Sequence, residues 1–210
     1  EITKMQNLIQ RCCKINKDSK RKYYLAYTFL FTFICIFVFL PFLIKENSFV
    51  GLADGYNQLY PALIYIGRYV REFIPNLFKG DIVQYDFNIG YGNDIIGTLN
   101  YVGFGSPFSL LSAFVPVRGT AYLYSFLTIL KLYLAGISLS IFMFYKQKDI
   151  SYRALLICIF LYIFSGYTFI YGTQLFTPFL DILIYVPLVS KSILKKHKGE
   201  SKIDFCFILC

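Results

Sequence analysis

The chain alternates long apolar runs with short segments rich in lysine and arginine. Residues 23–44 contain no ionised side chain, and residues 119–145 contain one, Lys131. Because about 20 apolar residues in a helix cross the hydrocarbon core of a bilayer, such runs predict transmembrane helices. The predicted spans are 23–44, 119–145, 154–171 and 175–194, with the start of a fifth at 203–210. We therefore expect an all-α, polytopic membrane protein whose chain is the front part of a longer one.

A long loop, residues 45–118, separates the first two predicted spans. Apolar residues in it recur at helical spacing and predict an amphipathic helix over about 57–79 that lies on the outer leaflet. This apolar stripe consists of Leu59, Leu63, Ile66, Val70, Phe73 and Leu77. Pro61 suits its first turn, and Pro75 and Gly80 are expected to end it. A glycine-rich stretch follows, and then Ser106 is expected to cap a short helix over 107–115.

Composition and charge narrow the class of protein further. Hydrophobic residues make up 57% of the chain and charged residues only 16%, which excludes an ordinary soluble enzyme. The net charge is +9, but 15 of the 21 basic residues lie in the tail 1–22, in the segment after the second span, or from Lys191 onward at the end of the fourth span and beyond it. The positive-inside rule places these segments, with the N-terminus, in the cytoplasm and residues 45–118 outside. The basic residues thus indicate membrane orientation and contact with anionic lipid, not nucleic-acid binding.

The residues that commonly bind metals show no ligand spacing. The six cysteines are all in predicted cytoplasmic or intramembrane positions, and the single histidine lies in a lysine-rich turn. The sequence indicates no cofactor, and it does not decide whether the protein uses a divalent metal ion.

Three charged residues near the predicted membrane boundaries have competing interpretations. Asp54 follows the first span, where a carboxylate suits a general base acting on a lipid-linked substrate, but aspartate is also a preferred helix N-cap. Lys131 lies mid-span and must face a cavity, a lipid phosphate or a partner such as Asp181. Asp181 follows Thr177-Pro178, so a place in a first helical turn competes with a catalytic role. The loop acids Asp86 and Asp94 are more typical of turns than of ligand sites.

Several short segments occur in an order similar to that of YfhO-type bacterial membrane proteins, which themselves resemble the GT-C class of glycosyltransferases. The first reads Asp54-Gly55-Tyr56-Asn57-Gln58-Leu59-Tyr60-Pro61. It is followed by 85–94, 97–101, 106–108, the intramembrane Lys131, 179–181 and Pro187-Leu188. The resemblance covers roughly residues 20–200, the N-terminal portion of such a protein.

The resemblance implies a GT-C-like enzyme of the bacterial cytoplasmic membrane. It would transfer a sugar from a polyprenyl-phosphate donor to an extracytoplasmic envelope acceptor, such as a teichoic-acid-type polymer. Asp54 matches the catalytic acid of the first outer loop by position. The expected substrate-binding residues are Tyr56, Gln58, Arg68, Asp94, Lys131 and Asp181. A lipid or sugar transporter, or a non-catalytic partner in envelope assembly, are the alternative functions, and the oligomeric state is open.

Overall fold

The computed structural model describes residues 17–45, 47–51, 54–147, 150–175 and 177–199. Most of the predicted basic tail and the start of the predicted fifth span lie outside the described residues. The α-helices are α1 (Lys17–Ile44), α2 (Tyr60–Lys79), α3 (Ile95–Tyr101), α4 (Pro107–Leu110), α5 (Thr120–Lys146), α6 (Tyr152–Ile163) and α7 (Phe179–His197). π-helical segments cover Gly55–Leu59 and Thr168–Leu175, and 3₁₀ turns cover Leu111–Phe114 and Val117–Gly119. Two-residue strands, β1 (Tyr85–Asp86) and β2 (Asn93–Asp94), pair antiparallel. This architecture confirms the all-α fold class.

Two of the described helices are long and apolar enough to cross a membrane. They are Lys20–Phe42, with a mean hydropathy of 2.3, and Val117–Lys146, with a mean hydropathy of 1.9. The helix predicted over 154–171 is divided in the structure: α6 ends at Ile163, and a π-helical segment begins at Thr168. The described residues form two compact units. Among the described residues, the span unit comprises 17–45, 131–147, 150–166 and 182–199, and the loop unit comprises 47–51, 54–130, 167–175 and 177–181.

The span unit is held together by large side chains packed between α1, α5 and α6. Tyr27, Leu132, Leu155, Ile159 and Ile163 are fully buried. The Tyr27 hydroxyl donates a hydrogen bond to the Tyr133 carbonyl at 2.9 Å, and the two rings stack with centroids 5.5 Å apart. These contacts fix the register of α1 against the second half of α5.

Two apolar clusters lie among the described residues of the loop unit, and α2 contributes to both. Leu59 and Leu63 pack with residues of the first turns of α5, which are Leu123, Tyr124 and Leu127. Ile66 and Tyr69 pack with Ile95 and Leu99 of α3. The first half of the predicted apolar stripe is thus buried in protein, which corrects the expectation that this face lies on the membrane. The last turns of α2 expose Ile74, Leu77 and Phe78.

The two ends of α2 follow local backbone chemistry. Pro61 lies in the first turn, where its missing N–H costs nothing. The helix continues through Pro75, contrary to the prediction, and ends at Gly80, whose φ of 73° is the left-handed conformation that glycine adopts freely. α2 therefore extends about one turn past the proline.

Arg71 connects α2 to the 3₁₀ turn that follows α4. Its Nη1 donates hydrogen bonds to the carbonyls of Ser112, Ala113 and Val115 at 3.2, 3.0 and 3.1 Å. These carbonyls lie where helical hydrogen bonding ends, so a side-chain cation is their natural partner. The backbones also approach closely here: a Cβ at Gly67 would lie 2.6 Å from the Ser112 carbonyl oxygen.

We expect Arg71→Met to lower the free energy of unfolding by about 2 kcal/mol, since hydrogen bonds from a charged group are lost while the apolar stem is kept. Thermal unfolding of the detergent-solubilised protein measures the change. Arg68→Met, one turn away on the same helix and exposed, is the matched control and should have little effect. Equal unfolding midpoints for the two variants would contradict the role given to Arg71.

Candidate functional site

Asp54 lies at the start of the π-helical turn Gly55–Leu59, with its side chain exposed. Asp54 occupies the N-cap position of this turn, as the alternative interpretation has it, but its carboxylate makes no capping hydrogen bond to the backbone there. Its Oδ1 instead accepts a hydrogen bond from Gln58 Nε2 at 3.3 Å. An exposed carboxylate oriented by one side-chain amide is open to a second partner.

The segment that carries Asp54 is held against α5 on both sides of this residue. Before it, the Phe49 N–H donates a hydrogen bond to Ser125 Oγ at 3.0 Å. After it, Leu59 is buried in the cluster formed with α5. Asp54 therefore belongs to a segment that packs beside the first turns of a helix long enough to cross a membrane. The predicted position of the carboxylate at the membrane boundary stays a prediction.

Tyr56, Gln58 and Arg68, expected to bind substrate, are all exposed in the loop unit. Gln58 is the one of these three for which a contact with Asp54 is described. Tyr56, 63% exposed, lies in the same π-helical turn as Gln58, and Arg68 lies two turns further along α2.

Asp94 has a well-defined structural role. It is the N-cap of α3, and its carboxylate accepts a hydrogen bond from the Gly97 N–H. This matches the interpretation of Asp94 as a turn residue. A role in substrate binding stays a prediction.

Replacing Asp94 tests the cap directly. Asp94→Ala should lower the free energy of unfolding by about 1 kcal/mol, whereas Asp94→Asn should be nearly neutral because asparagine caps as well as aspartate. Thermal unfolding of both variants beside the parent protein gives the comparison. If asparagine destabilised as much as alanine, the negative charge would matter more than the capping acceptor.

Asp86 forms a second polar centre, which links the β-hairpin to α2. Its carboxylate accepts hydrogen bonds from the Tyr65 hydroxyl, from the Asn88 N–H at 2.8 Å and from Asn88 Nδ2 at 2.9 Å. The Tyr65 hydrogen bond, followed by the Asn88 N–H, lowers the pKa of Asp86. Burial, and then the Asp86 carboxylate, raise the pKa of Tyr65. Asp86 is thus an ionised anchor of the hairpin; sequence reasoning missed Tyr65, which carries no motif.

Asp181 lies in the first turn of α7, as predicted, and is 7% exposed. Its Oδ2 accepts a hydrogen bond from the Ser106 hydroxyl at 2.6 Å. Ser106 was expected to cap α4, but its side chain makes no capping bond and is directed to Asp181 instead. The structure therefore joins two predicted features that are 75 residues apart in sequence.

Lys131 is 4% exposed and lies within α5 in the span unit. Its predicted contact with a lipid phosphate or with Asp181 stays a prediction. Among the described residues, no group of three or more His, Cys, Asp or Glu side chains is arranged to hold a metal ion.

Comparison with known protein families gives a match. The family model described as bacterial membrane protein YfhO matches residues 26–210, which is most of the chain. Comparisons with curated proteins and with solved structures gave no match. The matched range includes the motifs from Asp54-Gly55-Tyr56 to Pro187-Leu188 on which the sequence resemblance was based. The chain therefore belongs to the YfhO family of bacterial membrane proteins.

Proposed function

We propose that this protein transfers a sugar from a polyprenyl-phosphate donor to an acceptor in the cell envelope. The observation that carries the proposal is the exposed Asp54 carboxylate, anchored beside the first turns of a membrane-length helix. A group at that level can meet a lipid-linked donor from the membrane and a hydroxyl acceptor from water. The proposed orientation has the N-terminus in the cytoplasm and this site outside.

In the proposed reaction Asp54 acts as the general base. As the acceptor hydroxyl oxygen attacks the anomeric carbon, its proton passes to the Asp54 carboxylate. The bond between the anomeric carbon and the phosphate oxygen breaks, and polyprenyl phosphate leaves with the electron pair. Gln58 donates a hydrogen bond to Oδ1 of Asp54, which orients the carboxylate and leaves Oδ2 for the acceptor.

Cations would stabilise the leaving phosphate. Arg68 is exposed in the loop unit, as is Asp54, and its guanidinium suits bidentate contact with phosphate. Tyr56 is exposed in the π-helical turn that follows Asp54 and can contact the sugar. Lys131 is a further candidate for the phosphate, whereas Asp94 and Asp181 have contacts that favour positioning roles.

A transfer assay tests the proposal. The purified full-length protein is reconstituted in vesicles with a radiolabelled polyprenyl-phosphate sugar and a soluble glycan acceptor. We expect label to appear in the acceptor with release of polyprenyl phosphate. If the label stayed on the lipid with every acceptor tested, the proposal would be overturned.

The buried Lys131 in a membrane-length helix favours one alternative, a lipid or sugar transporter. Buried cations within spans commonly mark substrate pathways. The same vesicles separate the two functions. Movement of the labelled lipid between leaflets without transfer to an acceptor would indicate transport.

A further inference from the structure

One end of the span unit forms a cleft lined by lysines and aromatic rings. The Tyr23 hydroxyl is hydrogen-bonded to Ser140 Oγ at 2.9 Å, which holds the first turns of α1 beside the last turns of α5. α7 contributes Lys191. The cleft has a volume of about 310 Å³ and is lined by Lys20, Tyr24, Ile141, Phe144, Tyr145 and Lys191. This volume is within the range of small-ligand sites, about 300–1,000 Å³.

Two lysines at this end of the span unit lie over aromatic rings that line the cleft. Lys20 Nζ lies 5.4 Å from the centroid of the Phe144 ring. Lys198 Nζ lies 5.0 Å from the centroid of Tyr145. At these distances the face of an aromatic ring attracts a cation, so the Lys20 ammonium is held at the wall of the cleft and the Lys198 ammonium lies beside the lining residue Tyr145.

The described residues of the span unit are predominantly basic. Within 17–45, 131–147, 150–166 and 182–199, Asp18 is the one acidic residue, whereas lysine and arginine are frequent. Two cations and little negative charge favour an anion. Aromatic residues at the ends of membrane-length helices are typical of the headgroup level.

We propose that this cleft binds the phosphate of an anionic phospholipid headgroup. Lys20 and Lys191 contact the phosphate, and Tyr24 and Tyr145 contact the glycerol region. An acyl chain would follow the exposed stripe of α1 that begins next to Tyr24, namely Leu25, Phe29, Phe33 and Phe37. The positive-inside rule places this end at the cytoplasmic leaflet, where anionic lipid is available. The inference is independent of the proposed transfer reaction, since it uses no residue of that site.

Native mass spectrometry of the purified full-length chain tests the inference. The chain is mixed with phosphatidylglycerol or with phosphatidylcholine, and bound lipid is counted. We expect phosphatidylglycerol to be retained preferentially. Lys20→Gln with Lys191→Gln should weaken its binding about 10- to 30-fold, since each basic residue near a lipid surface contributes a factor of about five.

Two further variants keep the test decisive. Lys20→Arg with Lys191→Arg retains the charge and should retain the preference, whereas Lys45→Gln with Lys79→Gln removes the same charge elsewhere and should also retain it. Equal binding of the two lipids by the parent chain would overturn the proposal, as would an unchanged preference after loss of Lys20 and Lys191. Inorganic phosphate is added alone in a third arm. If it saturates the site at millimolar concentration while phosphatidylglycerol does not bind, the site takes a free anion and not a lipid.

Discussion

Replacing Asp54 with asparagine should reduce sugar transfer by at least about 100-fold, the range that loss of a general base produces. Asparagine has the same shape and can still accept a hydrogen bond from Gln58, but it cannot take the proton of the acceptor hydroxyl. Because the Asp54 side chain is exposed and makes no capping bond, protein abundance and unfolding temperature should not change. The initial rate of label transfer, normalised to reconstituted protein, measures the effect.

Matched variants separate the base from general effects of charge. Asp81→Asn removes one negative charge from another exposed position of the loop unit and should leave the rate unchanged. Gln58→Ala removes the described partner of Asp54 and should lower the rate only severalfold, since the base is kept. If the Asp54→Asn protein transferred sugar at the parent rate, Asp54 would be excluded as the base. That result would not bear on the transfer activity itself, which the assay of the parent protein tests.

Features that depend on hydropathy or on local backbone chemistry could be predicted from the sequence. The apolar runs 23–44 and 119–145, with Lys131 as their single charged residue, predict helices because a helix satisfies every backbone hydrogen bond within one membrane-spanning segment. The end of α2 at Gly80 was also predictable, since glycine adopts the left-handed conformation without strain. Asp181 in a first helical turn follows from the Thr177-Pro178 signal.

Features set by contacts between distant segments could not be predicted in this way. Hydropathy over 154–171 reports an apolar environment, and it does not reveal that regular α-helical hydrogen bonding ends at Ile163. The apolar stripe of α2 is equally compatible with a membrane surface and with a protein core, and only the positions of Ile95 and Leu123 decide for the core. Within the candidate site, the pairing of Ser106 with Asp181 depends on tertiary structure, so a local capping rule gave the wrong partner for Ser106.

Gly136 lies where α1 and α6 approach α5 closely within the span unit. A Cβ at this position would overlap the Tyr27 hydroxyl, lie 2.7 Å from Tyr27 Cζ and lie 3.0 Å from Ile159 Cγ2. Both neighbours are fully buried, and the Tyr27 ring is also stacked on Tyr133. The ring therefore has no free volume to move into, and small residues at such crossings allow helix backbones to pack closely.

Gly136→Ala should consequently lower the free energy of unfolding by about 2–4 kcal/mol, combining an overpacked core with weakening of the hydrogen bond from Tyr27 to the Tyr133 carbonyl. Thermal unfolding in detergent measures the loss, and Gly166→Ala is the matched control, because a Cβ there meets no atom within 4 Å. Tyr27→Leu alone should also destabilise, but combined with Gly136→Ala its effect should be less than additive, since the smaller side chain relieves the overlap. Strictly additive losses would mean that the methyl group is accommodated elsewhere and that Tyr27 does not set the helix separation at this crossing.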